Sequence, residues 1–252
     1  MKKFDEYLSS LRTEESEAYI ELDKDQELAY METHKYRFVK VFDGIPISPN
    51  QIRILDIGTT PFTLFIKEAS PHYDVTAIDL TNLMGARCKA KHIELRVCNL
   101  ATEPIPFDDS YFDVVIFTEV LEHLPTSPTD ILGEVSRVLR TGGKLIFSTP
   151  NFAQLLNRIK LLVGVCPMSP ADNQFKRGWV HGYGHVREYT MKEILCVLRS
   201  CNFTVSKKQF ISATPSVRSI RNPYQLVAQI YRLACLLMPT FRKTIYIECY
   251  KS

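Results

Sequence analysis

Short apolar runs, several ending in an acid, alternate along the middle of the chain with segments apolar at every third or fourth position. The first run is Ile52-Arg53-Ile54-Leu55-Asp56-Ile57-Gly58. A turn, Thr59-Thr60, comes next, and Pro61 then opens a segment over 62–69 with helical spacing. This reads as strand, tight turn, helix. Pro61 suits a first helical turn, where its missing N–H costs nothing. The turn sets backbone N–H groups beside a helix N-terminus, a place that favours polar or anionic ligand groups. Further runs predict strands at 75–79, 93–97, 112–118 and 144–148, with helices near 83–91 and 130–139. Pro104, Pro106 and Asp108-Asp109-Ser110 mark a loop, and Thr141-Gly142-Gly143 marks a turn. Such alternation implies a parallel sheet covered by helices on both faces. Ligands on such sheets bind outside the carboxyl ends of the strands.

The flanks read differently. Residues 1–43 contain neither Gly nor Pro and carry scattered aromatics, among them Phe4, Tyr7, Tyr30 and Phe38. They predict two or three helices that pack on, or lid, the alternating region. Residues 44–50 are a connector. An apolar helix and a loop with Gly164, Pro167 and Pro170 interrupt the alternation, so 152–184 reads as an inserted cap. A helix over 191–200 comes after it, with Thr190 as N-cap and Glu193 at the capping-box position. A strand starting at 203, an apolar helix over 224–238 and a final strand over 244–250 bring the sheet to seven. The expected fold is α/β and doubly wound, a mostly parallel, Rossmann-like sheet. A helical N-terminal cap over 1–43 precedes a main domain over 44–252.

Composition narrows the function classes. Apolar content of 45% suits a globular core. A net charge of +3 is too small to imply a nucleic-acid partner. Seven dispersed cysteines without a C-x-x-C pair show no disulfide or zinc framework. They read as reduced thiols in a cytoplasmic protein. The chain begins without an apolar signal core, and no stretch reaches membrane-span length.

Four constellations carry candidate chemistry. Asp79 ends the second strand about 20 residues past the glycine turn, where an acid can accept ribose hydroxyls. Asn99 offers an amide to an adenine edge, and Leu100 offers apolar contact. Glu119, Glu122 and His123 share one face if their segment is helical, and could hold a divalent metal or do acid–base work. In His181-Gly-Tyr-Gly-His185, His185 is a base, an acceptor contact or a fourth metal ligand, and His181 is incidental. Arg187 and Glu188 are expected to form a local ion pair.

Six pieces in order carry a resemblance: Ile54-Leu-Asp-Ile-Gly58, Ala77-Ile-Asp79-Leu80, the run from Pro104 to Val115, Glu119-Val-Leu-Glu-His-Leu124, Arg137-Val-Leu-Arg-Thr-Gly-Gly143 and His185-Val-Arg-Glu-Tyr-Thr190. The chain resembles the class I S-adenosylmethionine-dependent methyltransferases, in their bacterial small-molecule branch. The resemblance implies a last strand running antiparallel and S-adenosyl-L-methionine lying over strands one, two and four. It implies that Asp56, Gly58 and their turn approach the methionine part and that Asp79 takes the ribose. It also implies that Asn99 and Leu100 flank the adenine, with Thr60, Leu80 and Glu119 in the same site. The implied reaction is methyl transfer, at oxygen before nitrogen, to a small-molecule or glycan-type acceptor, with His123 and His185 as candidate bases. The basic, aromatic region over 206–240 then borders the acceptor, as a solvated surface or as a peripheral contact with a membrane. The family's first motif usually reads D-x-G-x-G-x-G, and here Thr60 and Phe62 replace two glycines. This raises a rival expectation, a non-catalytic binding protein whose pocket Phe62 fills. Another rests on the Glu-Glu-His-His pattern, which resembles metal-assisted enzymes of phenols and RNA 3′ ends.

Overall fold

The computed structural model describes residues 2–13, 24–168, 184–212 and 223–252. Two helices, α1 (Lys2–Thr13) and α2 (Lys24–Gly44), precede the sheet. Next come β1 (Ile52–Ile57), α3 (Pro61–Ala69), β2 (Tyr73–Asp79), α4 (Gly85–Ala90), β3 (Glu94–Val97) and β4 (Phe112–Thr118). A 3₁₀ turn at Leu121–His123 leads to α5 (Pro128–Val138), β5 (Leu139–Pro150) and α6 (Leu155–Leu162). The chain closes with α7 (Met191–Ser200), β6 (Phe203–Ile211), α8 (Pro223–Leu237), a 3₁₀ turn at Pro239–Phe241 and β7 (Thr244–Lys251). The loop after α6 and the expected incidental His181 fall partly or wholly outside the described residues.

The sheet order is β3-β2-β1-β4-β5-β7-β6. Strands β1 to β5 pair in parallel. Strand β7 sits between β5 and β6 and is antiparallel to both, so the sheet is mixed at that side. The central strands are apolar on both faces because both faces are covered: Ile54, Leu55 and Ile57 of β1 and Val114 to Phe117 of β4 are all buried. Side chains from α1, α2 and α3 fill one layer. Side chains from α5 and α7 fill the other.

Two local features differ from the sequence-based expectation. Strand β5 begins at Leu139 rather than at 144, and Thr141-Gly142-Gly143 is a bulge within it: the register moves from Phe112 opposite Leu139 to Val114 opposite Lys144. Gly142 takes a φ of +70°, which side chains resist. The second feature concerns Phe62. It does not fill a pocket. It lies in α3 with 2% exposure, stacked on Phe38 of α2 with ring centroids 4.7 Å apart. Phe4 and Phe65 complete the aromatic cluster. The N-terminal helices therefore share a core with β1 and β2. An ion pair adds to this, because Arg87 Nη1 of α4 donates to both carboxylate oxygens of Glu27 of α2, at 2.7 and 2.8 Å, with both side chains buried.

Phe62→Ala should therefore act on stability rather than on a ligand. Removing a buried phenylalanine costs about 3–5 kcal/mol, so the urea midpoint should fall by that equivalent. Ligand affinity measured well below the transition should stay within about twofold.

Candidate active site

The site is built where β1, β2 and β4 end. Gly58 leaves β1 with φ +88°, and its N–H donates to Ile78 O at 2.9 Å. A Cβ added there would stand 2.8 Å from Val120 Cγ2, so the position requires glycine for both conformation and space. Thr60 caps α3, accepting from Phe62 N at 3.2 Å, while Thr60 N donates to Thr63 Oγ1 at 3.1 Å. The threonine that replaces a glycine thus has a structural use, as half of a capping box.

Asp79 closes β2 and ties the two strand ends together. Thr59 N and Oγ1 donate to its Oδ2 at 2.8 and 2.7 Å. Thr81 N and Oγ1 donate to its Oδ1 at 3.0 and 3.3 Å. A carboxylate offers about four lone-pair positions, and these four donors take them. An incoming hydroxyl must displace one, and exposed Thr81, with the longer bonds, is the easier to displace.

A cavity of about 610 Å³ opens here, within the size range of small-molecule sites. Gly58, Thr60, Asp79, Leu80, Asn99, Leu100, Glu119 and His123 all line it. Asp56 does not. It lies behind the wall, where Thr63 Oγ1 donates to its Oδ2 at 2.6 Å. Because Thr63 Oγ1 also accepts from Thr60 N, Asp56 holds the turn in place rather than touching a ligand. Burial pushes its carboxyl up to about 7, with the Thr63 bond opposing the shift. Asn99 orders its own loop: its Oδ1 accepts from Ala101 N at 3.1 Å and its N–H donates to Glu103 at 2.9 Å.

The roof comes from α2. Tyr30 lines the cavity, and Arg37 donates to the Tyr30 hydroxyl at 3.0 Å. Arg37 Nη1 also stands 3.2 Å from Glu119 Oε2, while Glu119 Oε1 accepts from Ser148 Oγ at 2.8 Å. Glu119 has φ +55°, an uncommon conformation for a side-chain-bearing residue and one that clusters at functional sites. Tyr30, Arg37, Thr59 and Thr81 were not among the residues expected from the sequence. A contact across 82 positions, such as Arg37 to Glu119, has no local signature.

Glu119, Glu122 and His123 do not share a helical face, because the 3₁₀ turn starts only at Leu121. Glu119 points to the roof. Glu122 turns inward and accepts from Thr149 Oγ1 at 3.1 Å. Burial, with Glu119 nearby, pushes its carboxyl up to about 8. His123 faces the cavity with Nδ1 3.0 Å from Gly184 O. A carbonyl oxygen only accepts, so Nδ1 carries the proton and Nε2 keeps its lone pair. Burial holds the His123 pKa below the usual imidazole value. His185 stands behind it, ring centroids 4.9 Å apart. Its Nδ1 pairs with Glu188 at 3.0 Å, which raises its pKa. The expected Arg187–Glu188 pair does not form, since Arg187 pairs instead with Glu193 at 2.8 Å. Donor atoms of Glu122, His123 and His185 lie within 4.8 Å of one another. The three could hold a divalent cation, and Glu119 is outside that group.

A family model described as a methyltransferase domain matches residues 55–147. The chain is 37% identical over 73 residues to a probable S-adenosylmethionine-dependent methyltransferase of Mycolicibacterium smegmatis, covering 29% of this chain and 27% of that one. It is 30% identical over 122 residues to a ubiquinone biosynthesis O-methyltransferase of Rickettsia conorii, covering 47% of this chain and 42% of that one. The matched segment thus spans less than half the length of these curated relatives. A chain from the complex between the Haloferax volcanii Trm112 methyltransferase activator and a putative methyltransferase superposes with a TM-score of 0.62. That pair is 13% identical, over 98% of this chain and 97% of the other, and shares the fold.

The buried acid behind the turn gives a pH signature. Asp56 moves from 3.8 to about 7 on folding, so between those values the native chain holds a proton that the unfolded chain has released. Stability should fall as pH rises through that window and level off above it. Urea titrations across about pH 4 to 7.5 should show this fall, and Asp56→Asn should make it shallower, leaving the part that the raised Glu122 carboxyl contributes. An unchanged slope in the variant would show that Asp56 is ionised in the folded chain.

Proposed function

We propose that this chain, which shares its fold with methyltransferases and matches a methyltransferase domain model over residues 55–147, is a class I S-adenosylmethionine-dependent methyltransferase and binds S-adenosyl-L-methionine in the 610 Å³ cavity. We propose further that it methylates an oxygen of a small-molecule or glycan-type acceptor. The observation that carries this reading is an open cavity whose wall joins Gly58, Asp79 and Asn99-Leu100, with Phe62 packed away from it. The residues fit the cofactor chemically. Asp79 supplies a carboxylate for the ribose hydroxyls once Thr81 yields. Leu80 and Leu100 give apolar walls to a purine. Gly58 lets the backbone stand close to the methionine end. The cofactor supplies an electrophilic methyl group on a sulfonium.

The chain's own residues supply position, dryness and a base. In-line transfer depends on alignment more than on covalent help. Tyr30 roofs the cavity, and Glu119 is held between Ser148 and Arg37 at its edge. In this reading His123 is the base: its ring lines the cavity, its Nε2 is unprotonated in this tautomer and lies 4.0 Å from Glu122 Oε1, and it takes a proton from an acceptor hydroxyl. Glu188 orients His185, which packs edge-on against His123 and keeps that ring in place.

Calorimetry with S-adenosylhomocysteine should show one site per chain. Asp79→Ala should weaken binding by roughly 10- to 100-fold, the worth of charge-assisted hydrogen bonds at about 1.5–3 kcal/mol. No detectable binding by the unaltered chain at millimolar ligand would overturn the reading. His123→Gln should leave that affinity nearly unchanged and lower kcat by about 10²–10⁴ with a hydroxyl acceptor. The acid limb of the rate profile should lie below the ordinary imidazole pKa. An unaltered kcat would remove His123 as the base.

A further inference from the structure

Helix α8 is apolar on two opposite faces. Tyr231 and Cys235 point into the protein. Leu226, Ile230, Leu233 and Leu237, spaced four, three and four apart, form a stripe on the other side, and all four are exposed. Leu237 is 75% exposed. At the end of α6, Leu162 is 85% and Val163 70% exposed. Both helices border one feature, the Pro239–Phe241 turn. The Arg158 guanidinium of α6 lies 5.1 Å over the Phe241 ring, and the Tyr231 hydroxyl donates to Phe241 O at 3.4 Å. Asn151, at the carboxyl end of β5, donates to Thr240 O and Arg242 O and fixes that turn to the sheet. The apolar stripe is therefore anchored at the carboxyl end of β5.

The surroundings are cationic. No aspartate or glutamate occurs between Glu193 and Glu248, a stretch with eight lysines and arginines, and none occurs between Glu134 and Asp172. Lys160 of α6, Arg232 of α8 and Lys243, two residues past the Pro239–Phe241 turn, are exposed. A second copy of the chain docking through this face would set cation against cation. An anionic surface that accepts apolar side chains complements both features. Among the described residues no helix is long and apolar enough to cross a membrane, so such a helix lies on a bilayer rather than in it.

We propose that the face formed by α8, the Pro239–Phe241 turn and the end of α6 docks on an anionic lipid bilayer. The leucines enter the headgroup–acyl boundary, and the flanking cations meet lipid phosphates. This holds whether or not the cavity transfers a methyl group.

The test is co-sedimentation of the full chain with phosphatidylcholine vesicles, with and without one-third phosphatidylglycerol. Binding should be about tenfold or more tighter to the anionic vesicles, and L233E/L237E should lose at least about tenfold of it. R232E/K243E leaves the leucines in place and should abolish the preference for anionic lipid. Both pairs are exposed, and unchanged S-adenosylhomocysteine affinity would report that the fold and the cavity are intact. Absent binding, equal binding to both vesicle types, or binding that persists in both variants would overturn the proposal. So would self-association that L233E/L237E disperses in a chain that ignores vesicles.

Discussion

Parallel pairing of β1 with β2 and β4 is the constraint on which the rest depends. Strands that run the same way end at the same edge. Gly58, Asp79 and Glu119 therefore meet although the chain separates them by 21 and then 40 positions. The pairing holds only because both faces of those strands are apolar and covered. One cover is α5 and α7. The other is α1, α2 and α3, through the aromatic cluster around Phe62. That cluster fixes the N-terminal helices to the sheet face beside β1 and β2.

From that constraint the electrostatics follow. Strand ends leave carboxylates close together in a half-dry place, and the structure handles each one differently. Asp79 is saturated by threonine donors. Asp56 is buried behind Thr63 and pushed towards neutrality. Glu119 is paired with Arg37, and Glu122 is hidden against Thr149. Of these four acids, Asp79 and Glu119 line the cavity, with His123 beside them, and Asp56 and Glu122 do not. This separates a cavity-lining set from a supporting set, and motif matching alone treats both alike.

Much of the fold was legible because its signal is local. The strand at 112–118 is a run of buried apolar residues, and its observed limits are the same. Helix α7 announces itself by Thr190 and Glu193, which form the capping box. What was not legible depends on distant contacts or on backbone detail. The bulge at Gly142 reads locally as a turn, and only pairing with β4 makes it part of a strand. Glu119, Glu122 and His123 have helical spacing in the sequence. The positive φ of Glu119 and the short 3₁₀ turn send them in three directions. Glu188 chose His185, three positions back, over its neighbour Arg187. The missing glycines at 60 and 62 suggested a blocked pocket. The structure instead gives Thr60 to a helix cap and Phe62 to the core.

The central claim is that the space bounded by Gly58, Asp79 and Leu100 receives an adenosyl ligand. A crystal structure of the chain with S-adenosylhomocysteine tests it most directly. The account predicts ribose hydroxyls on Asp79 Oδ1, Thr81 released from that oxygen, and Thr59 still bonded to Oδ2. Ligand-free density at saturating concentration, or a ligand seated away from Asp79, would contradict it.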